Sequence, residues 1–419
     1  MRNNEKRSFR KDPGRLLSST VMLFFFSAFL LLFLKDYAWQ AFALALAVPA
    51  MIWLGVNLLP RLFPADKLLL SLTNFLCALG VLVLYATNPA YAYQQATYYG
   101  VGLAAMVVCI YLVRIIRHWK LPVLLMMPVS LGLLVLPLII GRETNGARNW
   151  FYVGSLSVQP SEIVKLSLLL IISYFMSRRK LLPWLIFAGG CLGLLMLQKD
   201  LGTALMYYGV TLMLFYASTG NLLLTGVGLA GGAGAAVLGY KMFAHVKKRV
   251  AIWQNPWSDY DNAGYQLVQS LMAIASGGLF GVGLGLGYPR TIPVYHTDFI
   301  FAVICEQFGL IFGLCVLLMY VAIIWRGATT AMAARTSFHG LLAMGATLLI
   351  GLQTFVIIGG VIKLIPLTGV TMPFVSYGGT SLVSSMCLVG LLQGVASLNE
   401  DDLNEDTRLA MLGSQEGMQ

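Results

Sequence analysis

Apolar runs of nearly uniform length alternate with short polar breaks from one end of the chain to the other. A helix rises 1.5 Å per residue, so about 20 apolar residues cross a hydrocarbon layer about 30 Å thick. Twelve segments read this way: 16–34, 39–59, 68–87, 98–113, 121–141, 163–176, 181–197, 201–218, 222–240, 299–325, 338–361 and 381–395. With 58% hydrophobic and only 11% charged residues, the expected fold class is an all-α polytopic membrane protein. The first run follows a basic stretch and lacks a small-residue cleavage site, so it reads as a retained anchor and not a removed signal peptide.

Charge sets the orientation. If both termini share a side, that side holds 17 of the 28 Lys and Arg residues, among them Arg2, Lys6, Arg7, Arg10, Lys11, Arg114, Arg117, Arg326 and Arg335. Most of the others fall in two longer loops, 142–161 and 241–297. The positive-inside rule predicts cytoplasmic termini and outward-facing long loops. The net charge of +11 then reflects topology and contact with anionic membrane lipids, and gives no support to nucleic-acid binding. Six cysteines lie in apolar segments without metal or disulfide spacing, and four histidines are scattered. They predict packing residues and no protein-built zinc site. The acidic stretch from Glu400 to Asp406 reads as a short disordered cytoplasmic end.

Five polar clusters fall on or near the outer side. The first joins Gly146-Ala-Arg148-Asn-Trp150 to Gln159-Pro160-Ser161-Glu162 and Lys165. Pro160 suits a first helical turn, and Glu162 and Lys165 share a helix face at i,i+3. They form either an intrahelical ion pair or a grip for an anionic headgroup. The second is Asp200-Leu-Gly202-Thr203, a helix cap or a ligand contact. The third runs from Lys241 through Lys247, Lys248 and Arg249 to Trp253 and Asn255-Pro256-Trp257, fitting a phosphate at the membrane surface or a solvated loop with interfacial anchors.

The fourth holds Gly264-Tyr265-Gln266 and Gln269-Ser270, with Leu267, Leu271 and Ile274 at helical spacing, which predicts an amphipathic helix lying on the bilayer. Gly277 to Gly287 follows with glycines spaced through it and reads as a re-entrant loop, because irregular backbone at membrane depth must line a cavity or be buried. The fifth runs from Pro366 to Ser381 and includes Ser376 and Tyr377. Asp298, after His296-Thr297, stands where the long loop enters a run of more than 20 residues whose only formal charge is Glu306. An ionisable group at that boundary is a candidate functional residue, here a catalytic base. Glu306 lies eight residues on, about 12 Å deeper along a straight helix, and reads as structural.

In order and number these clusters resemble the SEDS family of shape, elongation, division and sporulation proteins. The resemblance covers roughly residues 66–398 and implies a ten-helix core, preceded by two extra helices in 1–65 and followed by an acidic tail, 399–419. The extra helices touch none of the matched motifs in the sequence. The family polymerises lipid II into the glycan strands of peptidoglycan for division, elongation or sporulation, and its essential acid corresponds to Asp298. The resemblance also implies a substrate site formed from Arg148, Gln159, Glu162, Lys165, Asp200, Arg249, Gln266, Gln269, His296, Ser376 and Tyr377.

It implies a class B penicillin-binding transpeptidase as partner. A divalent cation, Mg or Mn, shared by Asp298 and the pyrophosphate is a further candidate. Three positions depart from the pattern: Lys199 replaces an expected proline, Ile357 an asparagine, and Gln307 a second acid after Glu306. A lipid II flippase and a non-catalytic scaffold are the rival readings.

Overall fold

A computed structural model describes residues 13–144, 147–153, 156–262 and 264–416. Arg2, Lys6, Arg7, Arg10, Lys11 and Gly146, used above, lie outside the described residues. The helices begin with α1 (Pro13–Asp36), α2 (Trp39–Leu62), α3 (Lys67–Thr87), α4 (Pro89–Ile115) and α5 (Lys120–Ile140). A small sheet follows, with β1 (Arg142–Thr144), β2 (Ala147–Val153) and β3 (Leu156–Val158). Then come α6 (Pro160–Ser177), α7 (Leu181–Leu197), α8 (Leu201–Thr219), α9 (Leu222–Met242), α10 (Ala244–Gln254) and α11 (Tyr265–Gly277). The chain closes with α12 (Ile300–Met332), α13 (Ser337–Val361) and α14 (Gly379–Glu416). Among the described residues 11 helices are long and apolar enough to span a membrane, and the 17-residue α7 is a shorter twelfth.

Each apolar run became a helix because its own backbone bonds are the only ones available in hydrocarbon. The ends are set by caps: Asp66 accepts from the amides of Leu68 and Leu69, and Asn88 from Ala90. Helices α3, α6, α13 and the first half of α14 are mostly buried, whereas α5 and α9 stay largely exposed. Small residues allow the closest approach. A Cβ placed on Gly390 of α14 would lie 2.6 Å from the Met106 carbonyl of α4.

Four features depart from the sequence reading. The connection 142–159 is a three-stranded antiparallel sheet, with Arg142 opposite Trp150 and Phe151 opposite Val158. The amphipathic helix α11 buries Leu267, Val268 and Ala273 against α12, so its apolar face meets protein instead of the bilayer. Helix α12 is not straight: Gly309 has φ +85°, a conformation open to glycine. The glycine loop closes that gap, its Val282 and Gly283 amides donating to the carbonyls of Glu306 and Gln307 at 2.9 and 3.0 Å. Leu310 N donates in return to Gly278 O at 2.9 Å, which leaves the broken backbone satisfied within protein.

The acidic end is helical, continuing α14 to Glu416. It is held by Arg114, 3.0 Å from Asp401, and by Arg335, which reaches both Asp402 and Asp406. The extra N-terminal pair also touches the core: Lys35 Nζ of α1 donates to Gly285 O at 3.3 Å.

Candidate active site

Twelve alternating traverses bring the segments 141–159, 198–200, 243–299 and 362–378 to one end of the bundle, where they enclose a cavity of about 740 Å³. Asp298 enters it from the turn ahead of α12, half-buried, next to Arg249 of α10 and the backbone of Gly369. A Cβ built on Gly369 would lie 3.6 Å from both Arg249 Nη2 and Asp298 Oδ2, so acid and base flank the same point. Burial pushes the Asp298 carboxyl up to about 6, against the opposing pull of the Thr297 hydrogen bond and the Arg249 charge. A carboxylate in that range is mostly ionised at neutral pH yet basic enough to accept a proton. Arg249 is fixed by a 2.7 Å bond from Nη1 to Thr368 O, and burial lowers its own proton affinity.

Glu162 and Lys165 open the deep end of the cavity. The Lys165 side chain is 4% exposed and contacts the Glu162 carboxylate, which also accepts from Ser384 Oγ at 2.6 Å. Lys165 Nζ donates onward to Gln353 Oε1 at 3.4 Å, and Gln353 Nε2 donates to Thr371 O at 2.8 Å. Both sequence alternatives therefore share one geometry: an ion pair is formed, and it faces the cavity. Asp200 lines the cavity too, but its oxygens are occupied. Oδ1 caps α8 at Thr203 N, while Oδ2 accepts from Asn149 at 2.9 Å and Gln159 at 3.3 Å. This clamps the sheet to the α7–α8 turn.

Of the residues singled out from sequence, Asp298, Gln159, Glu162, Lys165, Asp200, Arg249 and Gln266 line the cavity; Arg148, Gln269, His296, Ser376 and Tyr377 do not. Arg148 is exposed, its amide bound to Gln198 O at 3.0 Å. Gln269 donates to Tyr260 Oη at 3.1 Å. The other three brace the loop that carries Asp298. Ser376 Oγ donates to Thr297 O at 2.6 Å, Tyr377 N donates to His296 O at 2.8 Å, and the His296 ring stacks on Tyr91 at 4.5 Å. Glu306, read as structural, accepts from Tyr288 N at 3.0 Å and anchors the glycine loop.

The cavity also contains residues outside that set: Lys199, His245, Lys248, Gln353 and Tyr207. Lys199 departs from the family pattern, and its backbone conformation excludes the expected proline. Its φ is +60°, which proline, locked near −65°, cannot adopt. Ile357 is fully buried, packed where a polar side chain would need a partner. Among the described residues no three His, Cys, Asp or Glu side chains gather to hold a metal. Asp298 is one carboxylate, with a guanidinium for neighbour, and does not make a divalent site by itself.

These features define a multi-helix membrane protein with a cavity at one end that holds cations and a carboxylate of raised proton affinity. The profile of the family described as "Cell cycle protein", which groups FtsW, RodA and SpoVE, matches residues 66–401. The chain belongs to this family. It is 33% identical to stage V sporulation protein E of Bacillus subtilis over 362 residues, 79% of this chain and 96% of that one. It is 37% identical to the peptidoglycan glycosyltransferase RodA of Mycobacterium tuberculosis over 278 residues, 61% of this chain and 58% of that protein; the match thus spans less than two thirds of the RodA relative. Among solved structures it resembles a component of a peptidoglycan synthase complex that coordinates polymerization and crosslinking, with a TM-score of 0.67 and 27% identity over 80% of this chain and 98% of that one. The rod shape determining protein RodA of Thermus thermophilus gives 0.60 and 28% over the same shares.

Proposed function

We propose that the chain is a peptidoglycan glycosyltransferase that polymerises lipid II on the outer face of the cytoplasmic membrane, with both termini in the cytoplasm. Asp298 takes the proton from a sugar hydroxyl of one lipid II molecule. The freed oxygen bonds to the anomeric carbon of a second lipid-linked sugar, and the bond from that carbon to the diphosphate breaks. The leaving diphosphate carries the electron pair away, and positive charge near it lowers the barrier. A divalent cation, were one bound, would be held by Asp298 together with the substrate's diphosphate and would neutralise charge on the leaving group. A class B penicillin-binding transpeptidase is the partner we propose, in keeping with the peptidoglycan synthase complex that the fold resembles.

The observation that carries this reading is Asp298, pushed up to about 6 inside the cavity of a chain that belongs to this family. A translocation pathway would need a polar lining that continues towards the other end; here the polar lining groups gather at one end, and the residue reaching deepest along α13 is the apolar Leu349. The test is glycan formation from purified lipid II, with the transpeptidase present, by wild type and Asp298→Asn. The amide keeps size and polarity but removes the basicity, so chain formation should fall by about 10²- to 10⁴-fold. Asp298→Glu should also be poor, because an added methylene misplaces the carboxylate. Equal chain formation by wild type and Asp298→Asn would remove the base, and intact translocation with no polymer in either protein would favour the flippase.

A further inference from the structure

Three cationic or protonatable groups on one wall of the cavity have no counter-charge. Lys199, in the α7–α8 turn, and Lys248, on α10, line the cavity and form no side-chain hydrogen bond or ion pair among the described residues. His245, one turn before Arg249 on α10, faces Lys199 and Arg249. Its Nε2 is enclosed and meets no hydrogen-bond partner. The other cations are committed: Lys165 is closed by Glu162, and Arg249 serves Thr368 O and Asp298. Around the cavity Lys165, Lys199, Lys248 and Arg249 stand against Glu162, Asp200 and Asp298, and the unmatched positive charge is concentrated at Lys199 and Lys248. Clustered cations that repel one another persist most readily where an anion binds.

We propose that Lys199, His245 and Lys248 form the subsite for the diphosphate of the polyprenyl-linked sugar donor. The assignment rests on the glycosyltransferase reading and deepens it. Lys199 and Lys248 meet the diphosphate oxygens as point charges, and His245 Nε2 supplies a donor once it is protonated. Arg249, one turn beyond His245 along α10, acts electrostatically on both His245 and Asp298 and so links the diphosphate subsite to the base.

A pH signature follows. Burial, then the charges of Arg249 and Lys199, hold His245 below the usual histidine range, so the ring is neutral in the empty cavity at neutral pH. A diphosphate raises its proton affinity, and binding takes up a proton. A group whose bound-state value is raised above its free value favours binding at low pH, and the advantage is lost as pH climbs towards the bound value. Asp298 also sheds charge near pH 6, so the slope is read above that value.

The experiment measures binding of a C55 polyprenyl diphosphate, the corresponding monophosphate and inorganic pyrophosphate to the full chain in detergent. Quenching of Trp253, which lines the cavity, provides the signal. In wild type the polyprenyl diphosphate should bind most tightly, with affinity falling about tenfold between about pH 6.5 and 8.5. Lys199→Met should weaken it about tenfold, with a smaller loss for the monophosphate, and His245→Gln should flatten the pH slope. Wild-type affinity and slope in both variants would overturn the subsite, and so would a monophosphate bound as tightly as the diphosphate. If the variants lose diphosphate binding while wild type fails to polymerise lipid II, the subsite stands and the enzymatic reading falls. If wild type polymerises and the variants bind and polymerise equally well, the subsite falls alone.

Discussion

The two ends of the helix bundle use the same residue types in opposite ways. At the end with the acidic extension, three arginines are closed by acids: Arg326 lies 2.6 Å from Asp66, Arg114 pairs with Asp401, and Arg335 bridges Asp402 and Asp406. Asp66 does double duty, capping α3 while holding Arg326. At the cavity end Lys199 and Lys248 are left open, and Asp298 faces Arg249 across Gly369 without an ion pair. Closed pairs fix geometry and leave nothing to react with. Lys199 and Lys248 are exposed to the cavity's solvent, so they carry charge without a protein partner and stay free to meet an anion.

The Glu162–Lys165 pair is the exception at the cavity end, closed and buried, so breaking it should have the largest effect on stability. Lys165→Met leaves the Glu162 carboxylate facing only Ser384, and an uncompensated buried charge costs about 3–5 kcal/mol. Glu162→Gln combined with Lys165→Met should recover most of that loss. Thermal unfolding in detergent compares the three proteins. A single variant as stable as wild type would show that the pair is not a structural closure. If the double variant recovers stability but not polymerisation, the pair also orients substrate.

Removing a guanidinium from the open part acts on chemistry more than on folding. Arg249 helps hold the Asp298 carboxylate ionised, so Arg249→Met should move the acidic limb of the kcat profile to higher pH. If the carboxyl rises from about 6 to above the assay pH, activity drops about tenfold for each pH unit between the two and returns as pH is raised. Saturating substrate removes the weaker binding from the comparison. An acidic limb that stays in place would mean that Arg249 does not set the ionisation of Asp298.

Much of this contrast was legible in the sequence. The length of the apolar runs placed the twelve helices because each had to satisfy its backbone within itself, and Asp298 stood out as a charge at the edge of an apolar run. What could not be read was contact between distant segments. The bonds from Ser376 to Thr297 and from Tyr377 to His296 turn apparent ligand contacts into braces, and the first of them joins positions 79 residues apart. Asp200 offered both a cap and a ligand reading, and only the approach of Asn149 and Gln159 shows its oxygens already taken. Lys199 was visible as an odd residue, but its significance depends on α10 folding back to bring His245 beside it. The acidic end was misread because a charge run looks solvated until Arg114 and Arg335 arrive from other helices.

The smallest effect is expected at that closed end. Arg335 is exposed and reaches Asp402 and Asp406 from the α12–α13 turn, and exposed pairs are screened by salt and contribute little to stability. Arg335→Gln should therefore leave the melting temperature and polymerisation at wild-type levels in physiological salt. It should still loosen the last turns of α14, because those turns have little else to hold them: Leu403 and Leu409 are exposed. Amide hydrogen exchange across 402–416 should speed up in the variant, and high salt should produce the same change in wild type. If exchange there is unchanged while catalysis falls, the two ends communicate, and the division between a closed end and an open one would have to be given up.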